Sequence, residues 1–206
     1  MASVVLLKRG AEAELRRSTW HGREVVEKHR VPKAYRSQQL DDSLRKARLR
    51  MEVRLMSEAR ELGLAVPIIY DIDIEENRLV LEYVEGPTVK EVLQKRLIDP
   101  PRICQMIGEM AAELHSRDIV HGDLTTSNMI YRDDRIHLID FSLGEKTSSI
   151  EAKGVDLHLL KEALTSAHSD MPDLFDHVAA GYRQRSANAE EVLRKVKEIE
   201  SRGRYA

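Results

Sequence analysis

Apolar residues follow two rhythms along this chain, and the rhythm changes near residue 85. In the first part they alternate or sit in short blocks. Val4 to Leu7, Leu15 to Trp20, Arg23 to His29, Ile68 to Asp73 and Arg78 to Tyr83 read as strands of an antiparallel sheet. Lys8 to Glu14, His21-Gly22 and Glu75-Glu76-Asn77 read as the turns between them. One long helix interrupts the strands. Leu44, Ala47, Met51, Leu55 and Leu62 recur at helical spacing, with Asp41 and Asp42 as capping candidates and Gly63 as the stop. Pro32 and a polar connection over residues 33–40 precede it.

The second part is mostly helical. Asp99-Pro100-Pro101 is a strong helix start, and Ile103, Met106, Ile107, Met110, Ala111 and Leu114 form an uninterrupted apolar stripe after it. Ile119-Val120 is a short strand. Met129 to Tyr131 and Ile136 to Ile139 form a hairpin around Asp133-Asp134. Val155 to Ala167, Leu174 to Tyr182 and Val192 to Ile199 read as helices. The tail from Arg202 to Ala206 has no core pattern, and mobility is expected there. An α+β chain follows, with a sheet-rich part over residues 1–85 and a helical part over 86–206.

Composition narrows the classes. The chain has 206 residues, enough for one large domain or two small lobes with a real core. Lys+Arg number 33 and Asp+Glu 35, so net charge favours no nucleic-acid partner by itself. The single cysteine, Cys104, excludes an internal disulfide framework and points to a reducing, cytoplasmic setting. The amino-terminal apolar run is too short for a signal peptide, and no stretch reaches the length of a membrane span.

The candidate chemistry lies in His121-Gly122-Asp123-Leu124-Thr125-Thr126-Ser127-Asn128 and in Ile139-Asp140-Phe141-Ser142. A carboxylate at Asp123 can orient or deprotonate an attacking hydroxyl. The amide oxygen of Asn128 and the carboxylate of Asp140 are hard oxygen donors of the kind Mg²⁺ prefers. Taken singly, each would be a turn residue capping its own backbone. Lys28 shares a strand face with Val26, which suits either a functional cation or a snorkelling edge lysine. Glu52 sits at the margin of the long helix's stripe, as a solvated flank residue or as the partner of a buried cation. Arg183, Arg185, Arg194, Lys195, Lys197, Arg202 and Arg204 gather in the last quarter, interleaved with Glu190, Glu191, Glu198 and Glu200. They read as a solvated face or as part of a composite nucleic-acid surface.

The order and spacing of these residues resemble a protein kinase: H-R-D-x-x-x-x-N in the catalytic loop and D-F-G after it. That resemblance implies a two-lobed minimal protein-kinase-like fold and an ATP- and Mg²⁺-dependent reaction. In that frame Gly10 and Ala11 belong to the phosphate loop. Lys28 holds the α/β-phosphates and Glu52 is its ion-pair partner. Glu82 to Val84 supply backbone groups to the adenine edge. Asp123 is catalytic, and Asn128 and Asp140 are metal ligands. Asp156 braces the catalytic loop.

The departures are specific. Gly10-Ala11-Glu12-Ala13-Glu14 replaces the triple-glycine loop, Gly122 the usual arginine, Thr125 the usual lysine and Ser142 the usual glycine. Only Leu143 to Lys153 precede the next expected helix, too short for a peptide-binding platform. HGDLTTSN, DFS and the GAEA loop make the chain resemble the small atypical Ser/Thr kinase/ATPase subunit of the KEOPS complex, archaeal type. That resemblance implies ATP use in threonylcarbamoyladenosine (t6A) modification of tRNA. It also implies a tRNA threonylcarbamoyltransferase subunit on the C-lobe, a small regulatory subunit on the N-lobe, and weak or indirect tRNA contact. Two alternatives stand beside it: a small-molecule kinase of the aminoglycoside-phosphotransferase type, and a non-catalytic pseudokinase scaffold.

Overall fold

The computed structural model describes residues 4–10, 12–35 and 37–203. Its amino-terminal part is a five-stranded antiparallel sheet in the order β1-β2-β3-β5-β4. The strands are β1 (Val5–Arg9), β2 (Ala13–Trp20), β3 (Arg23–Arg30), β4 (Ile69–Asp73) and β5 (Arg78–Glu82). The β2–β3 register pairs Leu15 with Lys28 and Arg17 with Val26. The expected first turn is shorter than the sequence suggested. Lys8 and Arg9 stay in β1 and Glu14 is already in β2, because Gly10 N donates to Ala13 O at 2.9 Å and closes the loop early.

Helix α1 (Gln38–Glu61) crosses this sheet. It starts a turn earlier than Asp41, at Ser37, and Asp41 instead accepts from Arg45 Nε at 2.8 Å. Its buried face also differs from the expected stripe. Leu44 and Ala47 are exposed, while Leu49, Glu52, Leu55, Met56 and Ala59 turn inward. The inner face carries charge, so apolar spacing alone located it about a quarter-turn off. Gly63 ends the helix with a φ of 80°, as its position required.

The carboxy-terminal part begins with α2 (Val89–Gln94), which the sequence reading did not foresee. A reciprocal capping box sets it: Glu91 N donates to Thr88 Oγ1, and Thr88 N donates to the Glu91 carboxylate. Helix α3 (Pro100–Ser116) starts as expected, with Asp99 accepting from Arg102 N. Strand β6 (Ile119–Val120) pairs with β9 (Glu145–Lys146), and β7 (Met129–Arg132) pairs with β8 (Arg135–Leu138). Helices α4 (Ile150–Ala167), α5 (Leu174–Arg185) and α6 (Ala189–Gly203) complete the chain. Helix α4 starts at Ile150 rather than Val155, capped by Ser149, so only residues 143–149 separate Ser142 from it. The expected mobile tail is partly held. Arg202 lies in α6 and donates to Glu151 at 2.9 Å; Arg204 to Ala206 lie outside the described residues.

Helices α3 and α5 approach closely through glycines. A Cβ on Gly108 would lie 2.0 Å from Val178 O, and one on Gly181 2.1 Å from Gln105 O. The apolar core is continuous from Leu49 and Leu55 of α1, through Leu79 and Leu81 of β5, to Ile107, Leu157 and Tyr182 of the helical part. It therefore ties the sheet to the helices, and Met56 and Leu81 carry it up to the inner wall of the cleft. No helix among the described residues is long and apolar enough to cross a membrane.

Candidate active site

The site lies where the sheet faces the loops of the helical part. Strand β3 is central in its sheet, so Lys28 is not an edge lysine. Its side chain is 4% exposed. Lys28 Nζ donates to Glu52 Oε1 at 2.5 Å, to Asp140 Oδ1 at 2.7 Å and to Ser142 Oγ at 2.6 Å. Glu52 is 1% exposed and is thus no flank residue. Burial alone would lower the Lys28 ammonium, but the charges of Glu52 and Asp140 outweigh it and raise it. Burial alone would raise the Asp140 carboxyl. The charge and hydrogen bond of Lys28, with the Ser142 contacts, outweigh that and hold it well below the usual carboxylate range. Both groups stay ionised at neutral pH.

Asp123 and Asn128 are joined by local geometry. A short 3-10 turn over Thr126–Asn128 returns the chain, and Asn128 Nδ2 donates to Asp123 O at 2.9 Å and to Asp123 Oδ2 at 2.8 Å. The amide nitrogen is therefore committed, and Asn128 Oδ1 is left as the free donor oxygen. Asp123 Oδ1 and Asp140 Oδ2 accept no hydrogen bond among the described residues. Asp140 adopts a φ of 64°, an unusual conformation outside glycine, which the Ser142 N and Oγ contacts to its carboxylate support. Among the described residues there is no cluster of three His, Cys, Asp or Glu side chains able to hold a metal alone. Magnesium needs none, because it binds through one or two protein oxygens together with substrate phosphates. Asn128 and Asp140 fit that pattern.

Behind these groups, Asp156 of α4 is fully buried. It accepts from His121 N at 2.8 Å and Gly122 N at 2.9 Å, and it meets His115 Nε2 at 3.3 Å. This is the brace anticipated for it, set at mid-helix. His121 packs against Phe141 with the rings tilted at 52° and their centroids 4.7 Å apart. Gly122 has a φ of 78°, and a Cβ there would meet Leu143 O at 2.2 Å. The replacement of arginine by glycine thus has a steric cause: Leu143 packs on the loop where a side chain would stand.

The cleft has two compartments. The inner one is apolar, lined by Leu15, Val26, Met56, Leu81, Val84, Ile130 and Ile139. Glu82 N and Tyr83 N already serve Ile68 O and Glu24 O. The Val84 N–H has no acceptor among the described residues, which leaves it as the donor free to meet a planar ring. The outer compartment is polar and joins Lys8, Gly10, Glu12, Lys28, Asp123, Asp140 and Ser142. Ala11 lies outside the described residues. Glu12, a negative charge in the phosphate-loop position, is tied to Arg48 Nη1 at 2.6 Å and lies 3.7 Å from Lys33.

Two contributors escaped the sequence reading. Ser142 was noted only as a substitution, yet its hydroxyl contacts both Lys28 and Asp140. Arg30 was not noted at all, although it sits two residues from Lys28 on the same strand face; its Nη2 donates to Glu52 Oε2 at 2.6 Å. Strand alternation was the signal that could have found it.

The sequence profile of the RIO domain (RIO1) matches residues 16–155. The "KEOPS complex subunit Bud32" of Pyrococcus abyssi is 40% identical, over 97% of this chain and 96% of its own length. A "Probable bifunctional tRNA threonylcarbamoyladenosine biosynthesis protein" of Methanosarcina mazei is 43% identical over 99% of this chain. One of Methanobrevibacter smithii with the same name is 39% identical over 97%. The chain spans 34% of the first of these bifunctional relatives and 36% of the second.

Proposed function

This chain belongs to the RIO-domain family, among its archaeal KEOPS-type kinase/ATPase subunits, and on that premise we propose that it transfers the terminal phosphoryl group of ATP. Its use is as an atypical Ser/Thr kinase acting mainly as an ATPase, in support of t6A modification of tRNA. One observation carries the chemistry: four polar groups from distant parts of the chain, Lys28, Asp123, Asn128 and Asp140, line one cleft with an apolar inner wall, and buried Glu52 pairs with Lys28 behind it.

The residues divide the work. The apolar compartment takes the adenine, with Val84 N–H as its donor. Lys28 turns its ammonium to the α/β-phosphates. Asn128 Oδ1 and Asp140 would hold Mg²⁺, whose charge would offset that of the phosphates. Asp123 presents Oδ1 to the attacking water or hydroxyl and takes its proton as the new P–O bond forms and the β–γ bridging bond breaks. Asn128 Nδ2 fixes the other Asp123 oxygen, so the carboxylate cannot rotate away. Thr125 supplies no cation where many kinases have lysine, which fits slow transfer to water better than rapid transfer to peptides.

We further propose the two protein partners. The exposed apolar residues Val5, Leu6 and Leu7 on the sheet edge support a small regulatory subunit on the N-lobe. The threonylcarbamoyltransferase subunit belongs on the C-lobe beside the catalytic loop, where Leu143 is exposed. Contact with tRNA is weak or indirect. Arg183, Lys195 and Arg202 are already engaged by Glu190, Glu198 and Glu151. The buried free thiol of Cys104 suits a reducing, cytoplasmic setting.

The test is ATP turnover by the purified chain, alone and with the transferase partner and tRNA. Turnover should rise with the partner and vanish in Asp123→Ala and Asp140→Ala, with folding retained by circular dichroism. Unchanged turnover in either variant overturns the enzyme reading and favours a scaffold.

A further inference from the structure

We propose that Arg30 is a positioning residue, holding the Glu52 carboxylate by the oxygen Lys28 does not use so that Lys28 is free to serve the nucleotide. The inference rests on the ATP-binding reading above and concerns how the apo site is prepared for it.

The geometry is a carboxylate set between two cations. Glu52 Oε1 faces Lys28 Nζ at 2.5 Å and Oε2 faces Arg30 Nη2 at 2.6 Å. Arg30 and Lys28 are each 4% exposed and Glu52 1%. Solvent therefore screens none of the three appreciably. Buried charge must be paired locally, and the accounts balance only as a group of four. Lys28 and Arg30 contribute two positive charges, Glu52 and Asp140 two negative. Without Arg30 the cluster carries an excess negative charge at the back of a cleft meant for a polyanion.

The two cations have different commitments. Lys28 divides its three donors among Glu52, Asp140 and Ser142. Arg30 has one side-chain partner among the described residues, Glu52, and its own Nε is buried without an acceptor. A buried unsatisfied donor costs stability. The guanidinium is thus aimed at Glu52 and meets no other side chain among the described residues. When Lys28 exchanges Asp140 for phosphate, Glu52 keeps Arg30 as counterion. Its pull on Lys28 is shared rather than undivided, and α1 stays anchored to β3.

The experiment is equilibrium binding of Mg·ATP by calorimetry to wild type, Arg30→Met, Arg30→Lys and Arg30→Met/Glu52→Gln, with thermal melting of each. Arg30→Met should bind about tenfold or more weakly, because an unbalanced buried charge opposes the phosphates. Arg30→Lys should recover part of the loss. The double variant restores neutrality and should bind more tightly than Arg30→Met alone, which a merely structural arginine would not produce. A folded Arg30→Met within twofold of wild type, or a double variant no tighter than the single, overturns the proposal. Should Arg30→Met fail to fold, Arg30→Gln decides, since it keeps a hydrogen-bond donor and removes the charge: wild-type affinity in that variant refutes the proposal. Wild type that binds no Mg·ATP would instead refute the nucleotide reading itself.

Discussion

Substituting alanine for Gly122 should damage this protein in a way that a glycine-to-alanine change elsewhere does not. Two costs add at this position. The backbone has a φ of 78°, which an L side chain adopts at about 1–2 kcal/mol. The new Cβ would also stand 2.2 Å from Leu143 O and 2.6 Å from Leu143 C. Those are backbone atoms, so no side-chain rotation relieves the clash, and a displacement typical of overpacking adds about 1–3 kcal/mol. The expected loss is about 2–5 kcal/mol. Gly22, in the β2–β3 turn, is the internal control: its φ is 77° and a Cβ there meets nothing within 4 Å. Gly22→Ala should cost only the conformational part. The difference between the two variants, read by urea unfolding, isolates the contact with Leu143. Function should suffer more than stability. Gly122 precedes Asp123, and a shift of about 1 Å in a reacting group can cost about a hundredfold in rate. If Gly122→Ala loses no more stability than Gly22→Ala and keeps its ATP turnover, the close approach of Leu143 does not explain the missing arginine.

Asp156→Ala removes the acceptor of two buried N–H groups and of His115, and should cost about 3–5 kcal/mol in urea unfolding. Asp156→Asn, which keeps one acceptor oxygen, should cost less; equal midpoints for Asp156→Ala and wild type would refute the brace. Stability should also depend on pH at both extremes. Asp140 is held below its unfolded value of 3.8, so its contribution is complete above that value and is lost as pH falls through the folded one. Lys28 is raised above its unfolded value of 10.5, so its contribution is complete below that value and fades as pH rises through the folded one. Unfolding midpoints across pH should show a plateau with two falling limbs. Asp140→Asn should flatten the acid limb and Lys28→Met the alkaline one, and limbs unaffected by these changes would refute the assignment.

What the sequence revealed and what it hid divide along a physical line. Asp123, Asn128 and Asp140 were legible because loop chemistry is local: the amide and the carboxylate meet across a single turn. The strands were legible because polar turns bound them. The inner face of α1 was hidden because it carries Glu52 among Leu49, Leu55 and Met56, and a charged residue in a buried stripe looks like its edge. Arg30 was hidden for the same reason. A lone arginine reads as solvated until its partner, on another element, is placed beside it. Helix α2 is too short for periodicity to register, although Thr88 and Glu91 spelled its cap. The start of α4 was missed because Lys153 is polar yet buried, donating to Asp118 at 2.7 Å. For Glu52, Arg30 and Lys153 the missing information was a long-range pairing that turned a polar residue into a core one.

Those same pairings bear on control. Enzymes of this shape that switch themselves do so by moving the helix carrying the glutamate or by ordering the segment after the metal aspartate. Here both are tied down. Glu52 is fixed by two cations from the adjacent strand. Residues 143–149 are short and held along their length: Gly144 N donates to Phe141 O, Thr147 N donates to Asp118 O, Lys146 pairs with Glu58, and β9 is bonded to β6. The contact between Leu143 and Gly122 closes the near end. An internal switch at this segment would have to break these contacts together, because each one holds the same arrangement. On the proposed activity, control of turnover is then expected to enter from outside, through surfaces that remain apolar and exposed. Leu143 is 51% exposed, lines the outer compartment with Asp123, and lies against Gly122, the residue before it. Under the proposed activity, a partner that covers Leu143 would press on Asp123 through one peptide unit, which makes this contact a direct physical route from a docked protein to the rate of the reaction.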